Sequence, residues 1–84
     1  MKINDKIISR EIQGEMVLLN MENGDYFSLN SLGTEIYKYI SNGMQNEEII
    51  SFLLNKYDVE PDVLKNDIES LVSKMLEKNI LIKI

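Results

Sequence analysis

The chain has 84 residues, 44% of them hydrophobic, with no Cys, no His and a formal net charge of −5, a composition that fits one domain (residues 1–84) around one modest core. Without Cys or His there is no disulfide framework, no thiolate metal site and no histidine base, so no catalytic, cofactor-binding or metal-ligating residue is nominated. The negative charge repels phosphate backbones and every apolar run is broken before the ~20 residues a bilayer crossing needs; nucleic acid and membrane are therefore not expected as partners, and the absence of a signal-peptide pattern at Met1–Lys6 points to the cytoplasm.

Lys6 to Ile12 alternate loosely and predict a first strand, and Gln13-Gly14-Glu15 a turn. Met16 to Met21 predict a second strand, apolar on both faces for part of its length. Asn23-Gly24 supplies the positive φ angles of a two-residue type I′ turn. The third strand, Tyr26-Phe27-Ser28-Leu29, then pairs back with Met21 opposite Tyr26, Asn20 opposite Phe27 and Leu18 opposite Leu29. Sequential strands usually neighbour each other, which makes the third strand a sheet edge.

From Asn30, a helix cap, the period becomes helical. Leu32, Ile36, Tyr39 and Ile40 share one face of a helix from Ser31 to Ser41, which Gly43 ends in a left-handed conformation. A second helix spans Gln45 to Tyr57, with Asn46 as the favoured cap and a start one residue earlier as the alternative, and with Ile49, Ile50, Leu53, Leu54 and Tyr57 as its stripe. Pro61 opens a third helix that reaches Lys78. Leu64, Ile68, Leu71, Val72, Met75 and Leu76 are its core stripe and Asn79 its left-handed stop. Ile80 to Ile84 form a short strand or a packed extension. The class is α+β: a winged helix-turn-helix, with a three-stranded antiparallel sheet followed by three helices.

In order and spacing these features resemble the PqqD-like family, the recognition elements for precursors of ribosomally synthesised, post-translationally modified peptides. The resemblance spans about residues 15 to 82. It is carried by Tyr26-Phe27-Ser28-Leu29-Asn30, Gly33 and Ile36, Ile40-Ser41-Asn42-Gly43, Glu47-Glu48-Ile49-Ile50 with Leu53, Tyr57-Asp58-Val59, and Asp67-Ile68 with Leu71. Asn79-Ile80-Leu81 stands where the family has Gly-Leu-Leu or Gly-Leu-Ile, and Gln45 where a Ser or Thr cap is common.

The resemblance implies a non-catalytic module that binds the leader segment of a precursor peptide and delivers it to a maturation enzyme on another chain, such as a radical SAM protein, a leader peptidase or a cyclase. Lasso-peptide and quinone-cofactor pathways both use such domains. The leader would add as an antiparallel strand to Asp25, Tyr26, Phe27, Ser28 and Leu29. It would face Val63, Asn66, Asp67, Ser70, Leu71 and Lys74 on the third helix. Tyr26 and Phe27 point to opposite faces of a strand, so one of them lines the peptide site. Asp67 is singled out among the acidic residues as able to select a basic leader residue through a charge-assisted hydrogen bond.

Two other readings use the same fold. A winged-helix transcription regulator needs a basic recognition helix, yet the third helix sets Lys65, Lys74 and Lys78 against Asp62, Asp67, Glu69 and Glu77. A protein–protein adaptor is compatible with the acidity. Asp58, Glu60 and Asp62 lack the central Gly of a calcium loop, and Pro61 interrupts them. A monomer or weak homodimer is expected, because an open strand edge can self-pair.

Overall fold

The computed structural model describes residues 1–83; the predicted tail residue Ile84 lies outside them. Strands β1 (Lys2–Ile3), β2 (Ile7–Ile12), β3 (Glu15–Asn20) and β4 (Tyr26–Leu29) precede helices α1 (Ser31–Ser41), α2 (Asn46–Lys56) and α3 (Pro61–Glu77), and β5 (Leu81–Ile82) follows. The main sheet is antiparallel in the order β2-β3-β4; α1 packs against β3 and β4, α2 against α1 and α3, and α3 against β5 as well. This is the α+β arrangement expected, with β4 at an edge.

Two details of the sheet correct the sequence reading. The two-residue turn with positive φ at both positions is Gln13-Gly14 (φ 53° and 82°), between Ile12 and Glu15. Asn23-Gly24 instead belongs to a longer loop in which only Gly24 has positive φ (79°). The cause is side-chain competition: Asn20 Oδ1 accepts the Glu22 amide hydrogen at 2.8 Å and Asn23 Oδ1 accepts that of Asp25 at 2.9 Å. These local turns replace a tight hairpin. The register of β3 against β4 is therefore Met16↔Leu29, Val17↔Ser28, Leu18↔Phe27 and Leu19↔Tyr26, not Leu18 opposite Leu29. The slip is two residues, so every side chain keeps its expected face.

The inner face of the sheet buries Met16, Leu18 and Leu29 against Ile36, Tyr37 and Ile40 of α1, Ile49 and Leu53 of α2, and Leu64, Ile68, Val72 and Met75 of α3. Among the described residues, the outer face carries no covering layer. Its central row is Ile8, Leu19 and Tyr26, with Ile8 54% and Tyr26 72% exposed.

The helix ends follow their local chemistry. Asn30 Oδ1 accepts the Gly33 amide hydrogen at 2.8 Å and starts α1. Gly43 (φ 88°) ends it, its amide donating to Ile40 and that of Met44 to Tyr39. Of the two starts expected for α2 the earlier one holds: the cap is Gln45, not Asn46, because Glu48 reaches back to accept the Gln45 amide hydrogen at 3.0 Å. Tyr57, expected on the buried stripe of α2, is that helix's exposed C-cap. Asn79 (φ 59°) stops α3 in the left-handed conformation expected, with Ile80 N–H donating to Met75 C=O at 2.8 Å.

Leu81–Ile82 form the short strand that was one of the two expected readings there, but β1 and its pairing with β5 in a second, two-stranded sheet were not suggested by periodicity: Lys2 pairs with Ile82 and Ile3 with Leu81. The Asn4 amide donates to Ile80 C=O and its side chain to Asn79 C=O, both at 2.8 Å. A two-residue strand is too short to show a period.

Outside the core, Glu35 of α1 gathers three donors: Tyr39, Lys56 (2.7 Å) and Tyr57 (2.8 Å). Burial alone would raise the Glu35 pKa. The hydrogen bonds from Lys56, Tyr39 and Tyr57 outweigh that and hold the carboxyl below its ordinary value. The cluster ties the C-terminal end of α2 to α1.

Candidate functional site: a groove between an open strand edge and a helix

The backbone of β4 has one side committed and one side free. Asn20 N–H donates to Asp25 C=O at 2.9 Å, which sets the phase of the β3–β4 ladder. By the alternation of antiparallel pairing, the amide and carbonyl groups of Phe27 and Leu29 point towards β3, and those of Tyr26 and Ser28 towards the open edge.

That edge looks into a groove of about 360 Å³. Phe27, Ser28 and Leu29 of β4 form one side, and Asp67, Ser70, Leu71 and Lys74 of α3 the other. Asn30, Leu32, Gly33 and Ile36, from the cap and first turns of α1, lie between them. The α3 residues recur at i, i+3, i+4 and i+7, which is one helix face. Leu71 is half-buried, whereas Asp67, Ser70 and Lys74 are exposed along the rim.

The groove thus brings together seven of the expected residues: Phe27, Ser28, Leu29, Asp67, Ser70, Leu71 and Lys74. Of the adjacent aromatics, Phe27 lines it. Tyr26 stands on the outer face of the sheet. Asp25 and Asn66 are exposed and do not line the groove, and Val63 is 55% exposed in the first turn of α3.

Four lining residues, Asn30, Leu32, Gly33 and Ile36, were not among the expected peptide contacts. Leu32 and Ile36 were visible only as members of a core stripe, and nothing in a stripe says which end stays open. Gly33 carried a usable signal. A Cβ there would stand 3.2 Å from Asn30 Oδ1 and 3.4 Å from Leu29, so the missing side chain lets the strand, the cap and the first helical turn meet closely.

Chemically the groove can hold an extended chain. It offers unpaired strand hydrogen-bonding groups, an apolar base and a polar rim. Among the described residues no cluster of acidic side chains is arranged to hold a metal ion, and no helix is long and apolar enough to cross a membrane.

Comparison with known proteins agrees with this architecture. The solved structure of "TbiB1 in Complex with the TbiA(beta) Leader Peptide" superposes with a TM-score of 0.90 at 31% identity, over 96% of this chain and 94% of that one. "Lasso peptide synthetase B1 complexed with the leader peptide" superposes with a TM-score of 0.88 at 26% identity, over 96% and 95% of the two chains. No curated protein sequence matches at a significant level. The family described as "Coenzyme PQQ synthesis protein D (PqqD)" matches residues 15–81, and with the strand, helix and groove geometry above, the chain belongs to the PqqD family.

Proposed function

We propose that this protein binds the leader segment of a ribosomally synthesised precursor peptide by strand addition along β4 and presents it to a maturation enzyme. The observation that carries the reading is the open edge of β4, whose Tyr26 and Ser28 backbone groups face a groove with an apolar base. A peptide strand laid antiparallel there pairs with those groups whatever its sequence, and its groove-facing side chains meet Phe27, Leu32, Ile36 and Leu71. Backbone pairing supplies affinity and the pockets supply selectivity. The leader peptides held by the two similar solved proteins support the same ligand class here.

The role is recognition rather than catalysis. A lasso product requires the leader to be removed and a ring to be closed. The similarity to a lasso peptide synthetase B1 therefore favours a leader peptidase or a cyclase over a radical SAM protein as the enzyme served. The uncovered outer face of the sheet is the surface we assign to that enzyme. An added leader strand would extend the same sheet beside Tyr26, so an enzyme seated on Ile8, Leu19 and Tyr26 would touch domain and leader together. A winged-helix regulator is not favoured, because the α3 surface is more acidic than basic.

The test is an NMR titration of the isotopically labelled protein with the leader of a precursor peptide encoded beside it. Saturable shifts on Tyr26 to Leu29 and on the α3 face of Asp67 to Lys74 are expected. Shifts confined to other surfaces would overturn the site, and no shift with any such leader at concentrations well above micromolar would overturn the function.

A further inference from the structure

Among the described residues, two charged side chains line the groove, Asp67 and Lys74, and they are opposite in sign. They lie seven residues apart on one face of α3, about 10.5 Å along the axis at ~1.5 Å per residue, with the apolar Leu71 between them. The three ion pairs among the described residues join Lys2 to Asp5, Lys38 to Glu11 and Lys56 to Glu35, so Asp67 and Lys74 meet neither each other nor another charged side chain. The chain as a whole carries −5, yet the groove lining is electrically balanced. Bulk attraction of basic peptides by the acidic surface is therefore a different effect from what the groove itself can read.

We infer that the groove is bipolar and selects a leader strand that presents one basic and one acidic side chain, flanking an apolar one, on its groove-facing side. The inference rests on the leader-binding reading above and adds the chemistry of the sequence recognised. Groove-facing side chains of an added strand recur about every 6.8 Å, two residues at ~3.4 Å each. The first and third are then about 13.6 Å apart, and the flexible four-carbon stem of Lys74 spans the difference from the helix spacing. The middle side chain falls opposite Leu71. A strand with the wrong charge at either end sets like charges together, and one with no charge leaves Asp67 or Lys74 partly desolvated without a partner. Selectivity then comes from rejection as well as attraction.

The test is a selection from a random twelve-residue peptide library in mRNA display, run in parallel on the wild-type protein, Asp67→Lys, Lys74→Asp and the double swap. Both positions are exposed on a helix surface. Asp67→Asn and Lys74→Met provide a second pair should a swap disturb folding. Wild-type winners should carry a base and an acid four residues apart around an apolar residue. Each single variant should lose at least tenfold of the enrichment for one of those charges, and the double swap should reverse their order along the peptide. Winners that shift β4 and α3 resonances but keep the same charge composition on all four proteins would overturn the inference and leave leader binding standing. Winners that leave β4 unperturbed, or no enrichment on the wild-type protein, would overturn leader binding and this inference together.

Discussion

Thr34 of α1 takes the amide hydrogen of Met16 at 2.9 Å, in place of the ladder bond that Met16 would otherwise make across to Leu29. The same hydroxyl lies 3.4 Å from the Leu29 carbonyl oxygen, to which it donates. Both strand ends are buried there, and one side chain satisfies a donor and an acceptor that the ladder has released. The helix is thereby fixed against the end of β4, next to the groove.

Replacing Thr34 with Val keeps the shape and leaves the Met16 amide buried without a partner. That should lower stability by about 1–3 kcal/mol, measured by urea unfolding. Thr34→Ser, which retains the hydroxyl, should recover most of the loss. Equal stability of the Val and Ser variants would show that the hydrogen bonds contribute nothing.

Ser28→Pro separates strand addition from folding. Its amide points to the open edge and makes no ladder bond, and proline is tolerated in edge strands on that side. Stability should change by less than about 1 kcal/mol, the scale of a modest surface effect, while leader affinity falls at least tenfold by fluorescence anisotropy. Undiminished affinity would place the peptide away from β4.

Asn30→Ala removes the acceptor for the Gly33 amide and should cost about 1 kcal/mol of stability, read from the midpoint of thermal unfolding. Asn30→Asp, which keeps the acceptor and suits the helix dipole, should unfold close to the wild-type temperature. A matching loss in both variants would mean that the cap is not what stabilises the first turn of α1.

The Glu35 cluster predicts a pH dependence with a definite sign. Burial would raise the carboxyl pKa, but the bonds from Lys56, Tyr39 and Tyr57 bring it below its ordinary value of 4.5. A group depressed on folding contributes stability that is complete above its unfolded pKa and is lost as pH falls through the folded one. Wild-type stability should therefore decline below about pH 4.5, and Glu35→Gln should flatten that decline while lowering stability at pH 7. A variant with an unchanged acid profile would show that other carboxylates govern acid unfolding.

Most of the fold is legible in the sequence. The limits of α1 at Ser31 and Ser41, the left-handed stops at Gly43 and Asn79, and Pro61 at the start of α3 all follow from chemistry within a few residues. Asn23-Gly24 misled because its composition favours a tight hairpin while the side chains of Asn23 itself and of Asn20 bond locally to the backbone. The pairing of β1 with β5 was invisible because each is two residues long and the partners sit at opposite ends of the chain.

The sequence by itself determined the three longer strands and the three helices, most of the faces they bury and the charges available along α3, because helix and strand periods, caps and turn residues act over short range. Only the tertiary structure decided that the free edge of β4 and the Asp67–Lys74 face of α3 stand across one groove with Leu32 and Ile36 between them. That separation depends on how α1 seats on the sheet and how α2 and α3 pack around it in one core, and long-range packing of this kind leaves no periodic trace in the chain.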